Sequence, residues 1–99
     1  MSARIICESA PTQSIPVTSS KTTIFEANDG RQGFLIVNEG ANDAVLYFDG
    51  QTAGITLKAD GGTFTDLGIA FRINTKIEAD SASGTTLKAI KFKQNDNIV

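Results

Sequence analysis

The chain has 99 residues with a formal net charge of −2, one cysteine and no histidine. This length fits a single domain, and the acidic balance argues against a protein that wraps nucleic acid, which needs a basic surface. One cysteine excludes an internal disulfide, the lack of histidine excludes the common zinc-site spacings, and no apolar run approaches the ~20 residues of a membrane-spanning helix.

Residues 1–20 form the least regular stretch of the chain. Arg4–Cys7 fits a short strand, while Ala10–Ser20 is rich in Ser and Thr and contains both prolines, Pro11 and Pro16. Since proline is restricted to the edges and turns of sheets, we expect an extended N-terminal arm or edge segment. We expect no signal peptide, because the long apolar segment of one is missing. Spaced apolar side chains in this arm predict contacts with a partner: Ile5, Ile6, Ile15 and Val17.

The centre of the chain carries two apolar runs. Lys21–Ala27 is a predicted strand, and then Phe34–Val37 and Ala44–Phe48 flank a polar turn, which predicts a β-hairpin. Both runs are almost continuously apolar, which predicts central strands that are covered on two faces, or on one face with an oligomer contact on the other. The side chains expected to be buried by a second protomer or by a second sheet are Leu35, Val37, Leu46 and Phe48.

The remaining strands are shorter or alternate strictly. Ile55–Leu57 and Thr63–Thr65 fit short strands separated by glycine-containing turns. From Ile69 to Asp80 apolar and polar residues alternate, which predicts a half-buried strand with a bend near Asn74. In the last strand, Thr85–Lys93, the lysines are expected to protect a solvent-facing or edge strand against aggregation.

These elements predict an all-β fold. Helical spacing is nowhere sustained, and seven or eight short strands recur at intervals of roughly 8–12 residues, as in sandwiches and barrels. We expect a single antiparallel β-sandwich, jelly-roll-like, over residues 21–93, with a C-terminal tail at residues 94–99. The predicted core consists of Ile24, Phe34, Ile36, Val45, Tyr47, Leu57, Phe64, Ile69, Phe71, Ile73, Ile77, Ile90 and Phe92.

The residues offer little support for an enzyme. The commonest general base is missing, and Cys7 next to Ile5 and Ile6 fits a small buried side chain better than a nucleophile. The aspartates fall in turns, where a carboxylate bonds the local backbone, and they lack the spacing of an EF-hand. We therefore predict no catalytic, cofactor-binding or metal-binding residues. The cluster Lys88, Lys91 and Lys93 around Phe92 fits a nucleic-acid surface less well than a protected strand, given the acidic balance.

The order of the elements resembles a known group of proteins. A Thr-rich strand ends in Ala27-Asn28, and an arginine precedes an alternation that closes in asparagine (Arg31, Phe34, Ile36, Asn38). Three later segments complete the pattern: Val45 to Gly50, Gly54 to Phe64, and the turn Ala82-Ser83-Gly84-Thr85. The pattern resembles small β-sandwich structural proteins of tailed bacteriophages, namely capsid decoration (cement) proteins and related head or tail accessory proteins.

The resemblance implies a non-enzymatic role in the virion. A decoration protein of this kind is made in the host cytoplasm, binds the major capsid protein or another virion protein, and stabilises the head lattice as a homo-oligomer, here expected to be a trimer. It binds neither nucleic acid nor a membrane. Two alternatives stay open: a neck, tail or fibre-base adaptor of the virion, and a carbohydrate- or host-surface-binding β-sandwich module. The second is weakened by the absence of tryptophan from the sequence.

Overall fold

The computed structural model describes residues 6–9, 11–27, 29, 31–66 and 75–95, with the backbone alone described for residues 6–9, 32 and 93–95. All regular elements in these ranges are β-strands, which confirms the predicted fold class. The nine strands are β1 (Ile6–Ser9), β2 (Gln13–Val17), β3 (Thr22–Phe25), β4 (Arg31–Asn38), β5 (Ala44–Phe48), β6 (Ile55–Leu57), β7 (Gly62–Asp66), β8 (Ile77–Asp80) and β9 (Thr85–Asn95).

The strands form two antiparallel sheets. The first sheet has the order β1-β9-β4-β7, with β2 also paired to β9, and the second has the order β3-β8-β5-β6. The chain moves between the sheets at nearly every step, so the order β2-β9-β4-β7 packs over β3-β8-β5-β6. This arrangement is the jelly roll of two interleaved Greek keys, and the predicted jelly-roll-like sandwich is therefore confirmed.

The predicted hairpin between Phe34–Val37 and Ala44–Phe48 is wrong. Strand β4 pairs with β7 and β9, whereas β5 pairs with β6 and β8, so the connection between β4 and β5 crosses from one sheet to the other. Each run has strand neighbours on both sides in its own sheet. Both strands are thus central in their sheets, as expected, and the opposite sheet covers the inner face of each, while Leu35, Val37 and Val45 on the outer faces are half-buried.

The core lies between the two sheets. Of the predicted core residues, five are buried as expected: Ile24, Phe34, Ile36, Leu57 and Ile77. Phe64 is only partly buried but packs against this core, with its ring stacked on that of Phe34 at 5.7 Å between centroids. Ile69, Phe71 and Ile73 lie outside the described residues.

In two strands the predicted face is wrong by one residue. In β5 the buried side chains are Ala44 and Leu46, so Val45 and Tyr47 lie on the outer face. In β9 the buried side chains are Leu87 and Ala89, and the outer face carries Ile90 and Phe92, which are half-buried. Because side chains alternate along a strand, a one-residue error in register transfers a whole set of side chains to the opposite face. In β8, Ile77 and Ala79 are buried, so the predicted alternation is correct there.

The N-terminal strands belong to the sandwich. Strands β1 and β2 lie one after the other along the same edge of β9. Ser9 pairs with Phe92 and Gln13 pairs with Ala89, so an advance of four residues on this edge matches an advance of three on β9. The edge therefore contains one extra residue where it passes from β1 to β2. Val17 is 1% exposed and is part of the core, so the sandwich does not start at residue 21 as the sequence predicted. Strand β9 is accordingly a central strand, so of the two expectations for its lysines, a solvent-facing strand or an edge strand, the second is wrong.

A pair of substitutions in β5 tests which face points inward. We expect Leu46→Ala to lower the free energy of unfolding by about 2–5 kcal/mol, because it opens a cavity in the core. Val45→Ala on the outer face should cost less than about 1 kcal/mol. Urea denaturation of both variants measures the difference, and equal losses would contradict the assigned register.

Candidate functional site

The residues predicted to contact a partner do not share one surface. Val17 and Leu46 are buried in the core, so they are not available to a partner, and their prediction as interface residues is corrected. Ile15 and Phe48 are half-buried and pack against the core. Ile5 lies outside the described residues, and for Ile6 the backbone alone is described, in β1.

Leu35 and Val37 lie on a surface that a partner can reach. Both are half-buried on the outer face of the first sheet, where Leu35 is paired with Ile90 and Val37 with Lys88. They belong to a shallow hollow of about 80 Å³ that is lined by Thr12, Leu35, Val37, Lys88, Ala89 and Ile90. Thr63 and Thr65 of β7 are exposed beside it and pair with Val37 and Leu35. We call this the outer apolar face.

A buried arginine lies at the other side of the first sheet. Arg31, at the start of β4, is 0% exposed, and its Nη1 donates to the Glu26 carbonyl at 2.9 Å and to Asp29 Oδ1 at 2.8 Å. Nη2 donates to the Thr75 carbonyl, while Nε has no hydrogen-bond partner among the described residues. The guanidinium also lies 5.2 Å from the ring centroid of Phe25. A single side chain thus joins β3, β4 and the segment that leads into β8.

The charge of Arg31 is balanced locally. Asp29 Oδ1 pairs with Arg31, and Asp29 Oδ2 lies 3.7 Å from Lys91 Nζ. A buried arginine needs such a carboxylate, since an unpaired buried charge costs several kcal/mol. Lys91 therefore points inward to this cluster. The arginine in the sequence pattern gave a signal for this site, but nothing in the sequence indicated that it would be buried.

Next to this cluster is a cavity of about 180 Å³ at the mouth of the sandwich. It is lined by Pro11, Gln13, Ile24, Phe25, Glu26, Asp29, Ala89 and Lys91. This volume holds about six water molecules, which is small for a substrate pocket. Asp29 is already engaged by two cations, and no nucleophile is paired with a base among these lining residues. The cavity has no geometry that we can assign to a reaction.

Asn38 is a second buried polar residue, at the end of β4. It is 0% exposed, and its amide makes four hydrogen bonds, the full number available to it. Nδ2 donates to the carbonyls of Asn42 and Leu57, and Oδ1 accepts from the Gly40 N–H and the Thr85 hydroxyl. A Cβ at Gly40 would lie 1.8 Å from Thr85 Oγ1, so this approach requires glycine. Both residues lie at the polar turn between the two apolar runs, and nothing local in the sequence indicates this link.

The outer face of the second sheet carries Tyr47. Its hydroxyl lies 3.1 Å from Asp80 Oδ2, and Lys21 Nζ lies 4.1 Å from the ring centroid. Partial burial raises the pKa of Tyr47, and the hydrogen bond to the Asp80 carboxylate raises it further. The ammonium of Lys21 covers one face of the ring, which is the surface a sugar would need for stacking. This contact weighs against a carbohydrate site at the single tyrosine of the chain.

Two further observations concern ions and membranes. In the described ranges, no three histidine, cysteine or acidic side chains are placed to hold a metal ion. The same part of the chain contains no helix long and apolar enough to span a membrane. The exposed Asp43 accepts a hydrogen bond from the Ala59 N–H at 2.8 Å, which lowers the pKa of Asp43, so this turn aspartate bonds the backbone as expected.

Comparisons with known proteins support the fold alone. No protein-family model matches the chain, and no curated protein matches it. A solved structure described as "Bacillus endospore appendages form a novel family of disulfide-linked pili" is similar, with a TM-score of 0.54 and 11% sequence identity. The match covers 94% of this chain and 91% of that chain. At this identity the likeness shows that the two chains share a fold, here the jelly-roll sandwich.

Titration of Tyr47 tests the arrangement on the second sheet. Because the chain has one tyrosine, absorbance near 295 nm reports this residue alone. We expect a midpoint above the ordinary value of 10.0, and a shift back toward it in Asp80→Asn. The folded pKa is raised, so this contribution to stability is complete below pH 10 and is lost as the pH rises through the folded pKa. A titration midpoint that is unchanged in Asp80→Asn would contradict the hydrogen bond between Tyr47 and Asp80.

Replacement of Arg31 tests its structural role. We expect Arg31→Met to lower the free energy of unfolding by about 3–5 kcal/mol, since it leaves Asp29 without its closest cation and two carbonyls without a donor. Lys21→Met, which removes an exposed cation, should cost less than about 1 kcal/mol. Urea denaturation of both variants compares them, and a small effect at Arg31 would show that the cluster is not needed for stability.

Proposed function

We propose that this chain is a non-enzymatic structural subunit that adds to a repeating protein lattice. The specific form of this proposal is a decoration protein of a tailed-bacteriophage head. The jelly roll supports the proposal only as a fold that structural proteins use, since a fold by itself does not imply a function. The specific form rests on the resemblance of the sequence pattern. The observation that carries the general form is an unprotected sheet edge on one side of the sandwich.

This edge is formed by β6 and β7. Each strand is the last in its sheet, and no described strand pairs with the outer side of either. Natural proteins protect such edges with lysine, proline or bulges, because unpaired backbone groups recruit further strands. Neither Ile55–Leu57 nor Gly62–Asp66 contains lysine or proline, and Ile55 is 47% exposed. Such an edge suits pairing with a strand of another protein.

The opposite edge is built differently. In the first sheet it consists of β1 and β2, with Pro16 within β2 and Pro11 just before it, and in the second sheet it consists of β3. Proline removes a backbone donor, which makes this edge a poorer template. Residues 1–17, the lattice contact expected from the sequence, therefore become the alternative contact. Removing them would also remove Val17 from the core, so a truncation starting at Ser19 tests folding as much as binding.

A second form of the proposal is a subunit of an extended appendage. The structurally similar protein comes from appendages described as disulfide-linked pili, and this form of the proposal follows that description. Cys7 is the one cysteine of this sequence, so a disulfide through it would join two chains and no more. A neck or tail adaptor would also be a virion subunit, and it would differ from a decoration protein by its low copy number in the particle.

Lysine substitutions along the two edges test the proposal. We expect Thr56→Lys combined with Thr63→Lys to leave the fold intact and to lower binding to particles lacking this protein by at least about tenfold. The matched control, Gln13→Lys combined with Ser14→Lys on the proline-containing edge, should bind normally. Co-sedimentation measures binding, and circular dichroism checks folding.

The results separate the possibilities. Loss of binding in the control pair alone would move the contact to β1 and β2. If the wild-type protein does not co-sediment with particles encoded by the same genome, the decoration-protein hypothesis is wrong. Filaments of the purified protein under the electron microscope would favour the appendage form.

A further inference from the structure

We infer that the outer apolar face binds a second copy of this chain through a two-fold axis that runs parallel to the strands, between β4 and β9. This inference goes beyond the proposed function and does not depend on it, because it concerns the face of the first sheet rather than a sheet edge, and its test uses the protein alone.

The face has an apolar centre and a frame of small polar residues. The registers place Leu35 beside Ile90 and Val37 beside Lys88 in the middle of the sheet. On the flanks lie Thr63 and Thr65 of β7 and Ser14 of β2, all three exposed. An apolar centre within a small polar rim is the ordinary anatomy of a protein interface. A face meant for water alone would have polar residues in the middle.

The charges at one end are unused within the monomer. Glu39 follows β4, its N–H donates to the Thr86 carbonyl at 3.1 Å, and by alternation it shares the face of Leu35 and Val37. Glu39 is exposed and Lys88 is half-buried. In the described part of the chain neither forms an ion pair, although four such pairs occur elsewhere. One cation and one anion thus accompany the apolar centre without a partner.

A two-fold axis between β4 and β9 satisfies both features at once. It stacks β4 of one copy over β9 of the other, so Leu35 packs on Ile90 of the second copy, and the reverse contact forms by symmetry. Lys88 then lies over Val37 of the second copy, one same-face step of roughly 7 Å from its Glu39. This distance is within reach of a lysine side chain. The arrangement forms two apolar contacts and two ion pairs, and it stacks the two sheets in the aligned manner of a sandwich.

The size of the face indicates a weak pair. Four strands spaced about 4.8 Å apart, over roughly 20 Å of strand, cover about 400 Å² per copy. This is at the low end for specific complexes, so we expect a dimer that forms at micromolar to millimolar concentration. The resemblance implied a trimer; the pattern on this face supports a pair instead.

Charge reversal tests the geometry through mixing. In Lys88→Glu every cross-copy pair becomes two carboxylates, and in Glu39→Lys every pair becomes two ammonium groups, so each variant alone should dimerise at least about tenfold more weakly than wild type. In a mixture, the new carboxylate at position 88 of one copy faces the new ammonium at position 39 of the other. The remaining original pair is also opposite in charge, so mixed dimers should form about as well as wild-type dimers.

The mixing experiment excludes effects inside one chain, because each monomer keeps its own repulsive pair. Native mass spectrometry distinguishes mixed dimers by mass, and sedimentation equilibrium gives the dissociation constants. Lys76→Glu reverses a lysine on the second sheet and should leave dimerisation unchanged. Leu35→Arg should abolish the dimer without unfolding the protein, as checked by circular dichroism.

Three results would overturn the inference. The first is wild-type protein that stays monomeric at millimolar concentration or forms a trimer. The second is a mixture that associates no better than its two components. The third is a Lys76→Glu variant as impaired as Lys88→Glu, which would mean that general charge, not this face, controls association.

Discussion

Strand β4 is held in place by two buried polar side chains, one at each end, and the arrangement of the two sheets depends on them. Arg31 donates to two backbone carbonyls at the strand's start, those of Glu26 and Thr75, and Asn38 donates to two at its end. Between them lie Phe34 and Ile36, which are core residues. An apolar strand can slide or tilt at little cost, whereas a buried guanidinium or amide that loses its partners costs several kcal/mol. These two residues therefore fix where the strand sits.

The two outer faces of the sandwich differ in how many of their side chains form hydrogen bonds or ion pairs within the chain. On the second sheet, Tyr47 bonds Asp80 and is covered by Lys21, and Lys76 lies 3.9 Å from Glu78. That face is complete without a partner. The first sheet instead presents Leu35, Val37 and Ile90 without such links among the described residues. The difference identifies the first sheet as the side on which association gains the most apolar burial.

How far the sequence predicted this structure depends on the kind of signal. Alternation and turn residues were sufficient for the all-β fold and for the inward face of Ile77 and Ala79, since period-two patterning is a local property. Strands β4 and β5 had no clear alternation, because apolar side chains also lie on their outer faces, so their pairing and the face of Leu46 were not determined locally. The Pro-containing edge was expected from Pro16, but the burial of Val17 depends on a strand some 70 residues later.

The candidate surfaces were predicted only in part. Leu35 and Val37 were identified because apolar residues exceeded what one covered face needs. Arg31, Asp29 and Lys91 were not recognised as a cluster, because they come together only when β4 and β9 pair. The local sequence around two charged residues does not show whether they become neighbours in the folded protein.

The position of β9 has a consequence for how the protein is made. This strand, the last one described, lies between β4 on one side and β1 and β2 on the other, so it is the centre of its sheet. During synthesis on the ribosome the first sheet cannot close until residues 85–95 have emerged. Until then β2 and β4 expose unpaired backbone and the apolar side chains that β9 will cover. This half of the sandwich therefore folds only after β9 is available, in the millisecond-to-second range typical of β-sandwiches with distant strand pairs, and nascent chains are exposed to aggregation or chaperone binding before that.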